Sequence, residues 1–212
     1  MHSSRDPVAS VEHVARTLRD IRGGPRPDLD PQHAALIIID AQEEYLRGPL
    51  RLEDVEAAID EIDRLRAWAR EHGVFVVHVR QVSAADAPVF ARGSQGADIV
   101  ARLLPSSDEA VVDKAYPNAF NRTGLDALLR GAGRHQLLLT GFMAHMCLDS
   151  TARAAFDRDY SVFIVASATA ERSIPDPEGA VVSAGVLLRA TLTALNDRFA
   201  WILPDARAVA GP

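Results

Sequence analysis

Six short apolar runs recur along the chain, separated by stretches with helical or loop character: Ala34–Ile39 (AALIII), Val74–Val79 (VFVVHV), Ala110–Val112, Leu137–Thr140 (LLLT), Ser161–Val165 (SVFIV) and a weaker Ala200–Leu203. Continuous apolar runs fit strands covered on both faces, as in a parallel sheet, better than the alternation of a half-exposed strand. Val55–His72 is a long amphipathic pattern stopped by Gly73, and Thr123–Arg130 opens with a Thr-x-x-Asp cap pattern and stops at Gly131. Cys147–Asp159 and Pro177–Phe199 add two more helices. The alternation predicts an α/β fold: three α/β/α layers around a mainly parallel, doubly wound, Rossmann-like sheet of six strands.

Residues 1–33 stand apart as an arm, an amphipathic segment Val8–Arg22 followed by a Gly- and Pro-rich linker, and residues 34–212 form the main domain. The arm is expected to pack on the body or on a neighbouring subunit. Ser83–Gly96 is rich in small residues and reads as a long loop after the second strand, the kind of segment that walls or covers a binding site.

A chain of 212 residues encloses one full core, and 48% hydrophobic with 25% charged residues is ordinary for a globular protein. The net charge of −6 offers no broad attraction to nucleic acid or anionic lipid. No apolar run approaches the roughly 18 to 20 residues that span a bilayer, and the polar start MHSSRDPVAS lacks a secretory h-region, so a cytoplasmic protein is expected. Cys147 is the sole cysteine, which excludes an intrachain disulfide and a multi-thiolate metal site and leaves either a buried filler or a reactive thiol.

Ligands of open α/β sheets sit beyond the carboxyl ends of the strands. Three polar residues occur at such ends: Asp40 after the first, Lys114 after the third, and Cys147 at the loop-to-helix junction after the fourth. A helix N-terminus and a nearby ammonium both favour a thiolate, and a carboxylate in reach can take the thiol proton and return it to a leaving amine. Singly, such residues are more often caps or solvated charges; their coincidence at successive strand ends is what carries weight.

The segment LLLTGFMAHMCLDSTARAAFDRDYSVFIVASATA closely resembles the nucleophile segment of the isochorismatase-like cysteine hydrolases. AALIIIDAQEEYL is similar to that family's first strand, and DKAYPNAFNRTGLDALL to its lysine-bearing strand end; together the resemblance spans roughly residues 34 to 203. It implies a catalytic triad of Cys147, Asp40 and Lys114, a cis peptide at Phe142–Met143, and an oxyanion hole from the backbone N–H groups of Met143 and Cys147. It further implies cleavage of a small amide through a thioester with no cofactor, and a homo-oligomer, either dimer or tetramer. Met146 and Leu148 are candidate contacts between subunits.

Departures from the pattern narrow the reading. Between Tyr45 and Lys114 the histidines are His72, on a helix, and His78, within a strand, so the metal site of the nicotinamidases is not expected. The cysteine stands where aryl-carrier-linked isochorismatases have glycine, which favours amide chemistry. His145 reads as a loop residue facing solvent or an interface, or a substrate contact. Gln42, Tyr45, Tyr116, Asn118 and Phe120 lie within a few residues of a triad member and are candidate pocket walls, each equally able to be core. Arg80 is placed to pair with a substrate carboxylate or with a surface acid. Two other functions stay open: vinyl ether hydrolysis with Asp40 as acid, and a non-catalytic binding protein on a hydrolase scaffold.

Overall fold

The structure, a computed structural model, describes residues 15–209. In chain order the elements are α1 (Leu18–Arg22), β1 (Ala34–Ile39), α2 (Glu44–Arg47), α3 (Val55–Glu71), β2 (Phe75–Gln81), β3 (Ala110–Lys114), α4 (Leu125–Gly131), β4 (Gln136–Gly141), α5 (Asp149–Phe156), β5 (Ser161–Thr169), β6 (Ile174–Pro175), β7 (Val181–Val182), α6 (Ala184–Arg198) and β8 (Trp201–Leu203). Six of the strands make one all-parallel sheet in the order β3-β2-β1-β4-β5-β8, so the winding reverses between β1 and β4. All six residues of β1 are buried, because helices cover both faces of this central strand.

One face of the sheet packs on α3, whose Val55, Ala58, Ile59, Ile62, Leu65 and Ala69 form a single apolar stripe at helical spacing. The other face packs on α4, α5 and α6 through Leu125, Leu129, Ala152, Ala155 and Leu195. Expected parity follows: Val76 of β2 lies in the first cluster, Val77 and Val79 in the second.

The described part of the arm packs on the body. The Leu18 amide donates to Asp197 Oδ1 at 2.7 Å, Arg19 donates to the Ala200 carbonyl, and the Arg19 guanidinium stacks 3.6 Å over the Trp201 ring. The first residues of the amphipathic segment Val8–Arg22 lie outside the described residues. Among the described residues, no helix is long and apolar enough to cross a membrane.

Two helix boundaries differ from the sequence reading. The last helix begins at Ala184, not Pro177, because Asp176 Oδ1 accepts the amides of Glu178 and Ala180, and Gly179 at φ +90° closes a β6–β7 hairpin. The helix expected from Cys147 is preceded by a π-helical turn over Ala144–Leu148, in which the Leu148 amide reaches back to the Met143 carbonyl at 3.2 Å.

Candidate active site

The reversal of winding creates a crevice at the carboxyl ends of β1 and β4, and the chain leaves both strands there. Gly141 ends β4 at φ +106°, and a Cβ at this position would lie 1.9 Å from the Ile39 carbonyl oxygen. That close approach sets the cysteine loop directly against the end of β1. Asp40 follows β1 in the left-handed region at φ +51°, a conformation that Asp tolerates better than most residues, with its amide bonded to the Val79 carbonyl at 2.8 Å.

The three charged or nucleophilic side chains meet in this crevice. Lys114 Nζ lies 2.7 Å from Asp40 Oδ2 and 3.4 Å from Cys147 Sγ, and neither the Lys114 nor the Asp40 side chain is exposed to solvent. The lysine and carboxylate form a contact ion pair, without the direction of an ideal hydrogen bond. Lys114 gives its directed hydrogen bond to Gln81 Oε1, at 2.8 Å.

Burial dominates the electrostatics. It raises the Asp40 carboxyl above its ordinary value against the opposing pull of Lys114. The Lys114 ammonium is held above its usual range because Asp40 and Cys147 outweigh the cost of its own burial. Burial also pushes the Cys147 thiol up, and the Asp40 carboxylate within hydrogen-bonding reach pushes it further, while Lys114 opposes both. A helix terminus alone would lower the thiol; enclosure at 5% exposure acts in the opposite direction and outweighs it.

The Phe142–Met143 peptide is cis. In the loop that follows, the Met143 carbonyl accepts the amides of Met146 and Leu148, the Ala144 amide bonds to the Ala170 carbonyl at 3.3 Å, and the His145 amide bonds to Glu171. Among the described residues the Met143 amide has no backbone acceptor.

The candidate walls fall in several places. Tyr45 is buried edge-on between Phe90 and Phe142, and its phenol is held well above its usual range by burial and by the charges of Asp40 and Cys147. Gln42 is fully buried, but its amide is engaged with backbone: Nε2 donates to the Gln81 and Ala97 carbonyls at 2.9 Å, and Oε1 accepts the Gln81 amide at 2.8 Å. It ties the ends of β1 and β2 to the long loop. Asn118 Oδ1 accepts the Phe120 amide at 2.8 Å in a local turn, and Phe120 stacks on Tyr160 within the core. Tyr116 is 39% exposed and accepts from Arg122 at 2.9 Å.

Arg80 shares the strand parity of Val76 and His78, so it points to the α3 side of the sheet, away from Lys114. There it makes a two-pronged ion pair with Asp113, at 2.8 and 2.9 Å, and lines a separate cavity of about 450 Å³ with Glu43 and Asp98. Gln81, one residue on, carries the parity that reaches the lysine. The same period-two argument applied to the end of the second run would have selected it.

His72 caps α3 and stacks on Trp68, while His78 Nε2 donates to Glu109 Oε2 (3.0 Å) inside a buried cluster with Arg66. His145 turns its Nδ1 to Glu171: it lies 2.8 Å from both oxygens of that carboxylate, which has no exposed side-chain surface, while the histidine side chain keeps 18% exposure. Glu171 was not legible as a site residue, since nothing in its local sequence marks it. Leu148 is fully buried in the core, leaving Met146 as the exposed apolar residue of the loop at 39%.

An isochorismatase-domain family model matches residues 34–197, the stretch that builds this sheet and crevice. A secreted isochorismatase effector of Verticillium dahliae is 34% identical over 183 residues, covering 86% of this chain and 94% of that protein. A crystal structure of an isochorismatase from Pseudomonas putida KT2440 superposes with a TM-score of 0.86 at 34% identity, over 92% of this chain and 99% of that one. A cysteine hydrolase from Pseudomonas syringae pv. phaseolicola superposes at 0.83 with 25% identity, over 87% and 94% of the two chains. Sheet order, crevice and sequence thus agree in one assignment: the chain belongs to the isochorismatase family of hydrolases.

Proposed function

We propose that the chain hydrolyses a small amide, ureide or carbamoyl C–N bond, with Cys147 as nucleophile, Asp40 as general base and acid, and Lys114 as the charge that holds Asp40 in place. The observation that carries this reading is the position of one ammonium 2.7 Å from a carboxylate and 3.4 Å from the sulfur, all removed from water. A thiol raised by burial needs a base at hand, and a carboxyl raised by the same burial is a stronger base than one in water.

In the proposed cycle Asp40 takes the thiol proton as Sγ attacks the substrate carbonyl. The negative charge on the carbonyl oxygen is met by the Met143 and Cys147 amides, donors of the kind typically worth about 3 kcal/mol each. Collapse breaks the C–N bond, and Asp40 returns its proton to the departing nitrogen, leaving a thioester. Water, deprotonated by Asp40, then attacks the thioester; the acid departs and the thiol regains its proton. Lys114 keeps its charge throughout. Tyr45, whose phenol feels the charges of Asp40 and Cys147, is the candidate wall this reading favours. No step calls for a cofactor.

A screen of primary amides, ureides and carbamoyl compounds for ammonia release tests this, with Cys147→Ser as the blank. Turnover that disappears in the variant supports the thioester route, and turnover that survives overturns it. The raised carboxyl of Asp40 also suits a proton donor, which favours vinyl ether hydrolysis as a second reading; Cys147→Ala retains that activity. A scaffold that only binds would give neither. A homo-oligomer belongs to the proposal, supported by the exposed Met146 and Val186, and light scattering measures it. A cytoplasmic location suits a thiol that must stay reduced; fractionation decides it, since the Verticillium relative is named as secreted.

A further inference from the structure

The pair of His145 with the buried Glu171 takes no part in the cycle above, yet His145 sits two residues from the nucleophile. A carboxylate with no exposed surface is costly unless its lone pairs are filled, and Glu171 fills them almost wholly from one residue. It accepts the His145 backbone amide, both of its oxygens lie 2.8 Å from His145 Nδ1, and the Arg172 amide approaches at 3.4 Å. Its own backbone is anchored across the molecule, where the Glu171 carbonyl accepts the Glu53 amide at 2.8 Å.

The consequence lies in where the loop amides point. Ala144 and His145 are drawn toward Ala170 and Glu171, and Met146 and Leu148 are drawn to the Met143 carbonyl. The Met143 carbonyl and the Ala144 amide share one peptide plane, bonded on both sides, and the His145 amide belongs to the next plane; the Met143 amide, one plane earlier, has no backbone acceptor among the described residues. Released from Glu171, the His145 amide would seek another acceptor and turn the Ala144–His145 peptide with it, loosening the turn that lies between the Met143 and Cys147 amides.

We propose that Glu171, acting through His145, is a positioning residue that fixes the direction of the Met143 and Cys147 amides toward the developing oxyanion. This rests on the cysteine-nucleophile reading above. The role demands a fixed acceptor at the position of the carboxylate, more than it demands a charge, because the amide of His145 is the group that must be held.

Two reactions of Cys147 separate positioning from general damage. Acylation by p-nitrophenyl acetate passes through a tetrahedral oxyanion and needs the amides; alkylation by iodoacetamide displaces iodide at a saturated carbon and does not. In Glu171→Ala, acylation, read as the Cys147-dependent burst of p-nitrophenolate, falls roughly 30-fold or more while alkylation stays within about threefold of the parent. Glu171→Gln, which keeps an acceptor for the His145 amide, recovers most of the acylation. Both rates falling together, or neither changing, overturns the inference. Should the alanine variant not fold, Glu171→Asp, with its acceptor drawn back by one methylene, carries the same comparison. A parent protein whose Cys147 is not acylated at all overturns the cysteine-nucleophile reading first, a result distinct from parallel loss in the variant.

Discussion

Lys114 Nζ and Asp40 Oδ2 lie 2.7 Å apart with no solvent on either side chain, although 74 positions separate them in the chain. A buried pair of this kind contributes little as a pair and a great deal against the loss of one member.

Lys114→Met therefore leaves an uncompensated buried carboxylate and lowers stability by about 3 to 5 kcal/mol in urea unfolding. Adding Asp40→Asn to that variant restores much of the loss, since the remaining group is neutral. A single-variant cost below about 1 kcal/mol would mean that water reaches the pair.

Gln81 and Arg80 are neighbours in sequence with opposite consequences. Gln81→Leu removes the directed acceptor of Lys114 and is expected to lower kcat roughly 10-fold, with KM little changed, by freeing the ammonium to shift. Arg80→Ala removes a partly exposed ion pair with Asp113 on the other face and leaves kcat/KM within about twofold. Steady-state kinetics on any substrate found by the amide screen read both, and a large effect at Arg80 with none at Gln81 would reverse the assignment of faces.

Acid sensitivity should arise far from the crevice, in the cluster of Glu109, Arg66, Arg70 and His78. The Arg66 guanidinium and the His78 hydrogen bond overcome burial and hold the Glu109 carboxyl down at about 2. Its stabilisation is complete above the ordinary value of 4.5 and is lost as pH falls from there toward 2. Burial lowers His78 below its ordinary 6.5, so the unfolded chain takes up a proton that the folded one refuses, and stability also declines as pH falls below 6.5. Urea midpoints at pH 7.5, 5.5 and 4 should fall in that order. Glu109→Gln should flatten the lower part of the slope at a cost of about 3 kcal/mol at neutral pH.

Much of the fold is legible in the pattern of apolar residues. The six strands, a mainly parallel pairing and the crossover helix α3 follow from continuous β-rich runs and one long amphipathic stripe, because burial on both faces leaves a direct signature in residue type; the structure makes all six parallel. The end of the chain was less legible: the apolar spacing after Pro177 is compatible with a helix, and only the capture of two amides by the Asp176 side chain makes it a hairpin.

The chain's residues by themselves determined the sheet, the family and the three side chains that meet at its edge, since strand ends in a doubly wound fold are predetermined places. Tertiary structure alone decided which face each neighbouring side chain serves, so that Gln81 rather than Arg80 reaches Lys114 and Gln42 holds backbone. It also decided that the thiol is raised rather than lowered, and that Glu171 grips the cysteine loop. The physical reason is the same in each case: desolvation and hydrogen-bond partners depend on groups far apart in the chain, and no local pattern of residues records them.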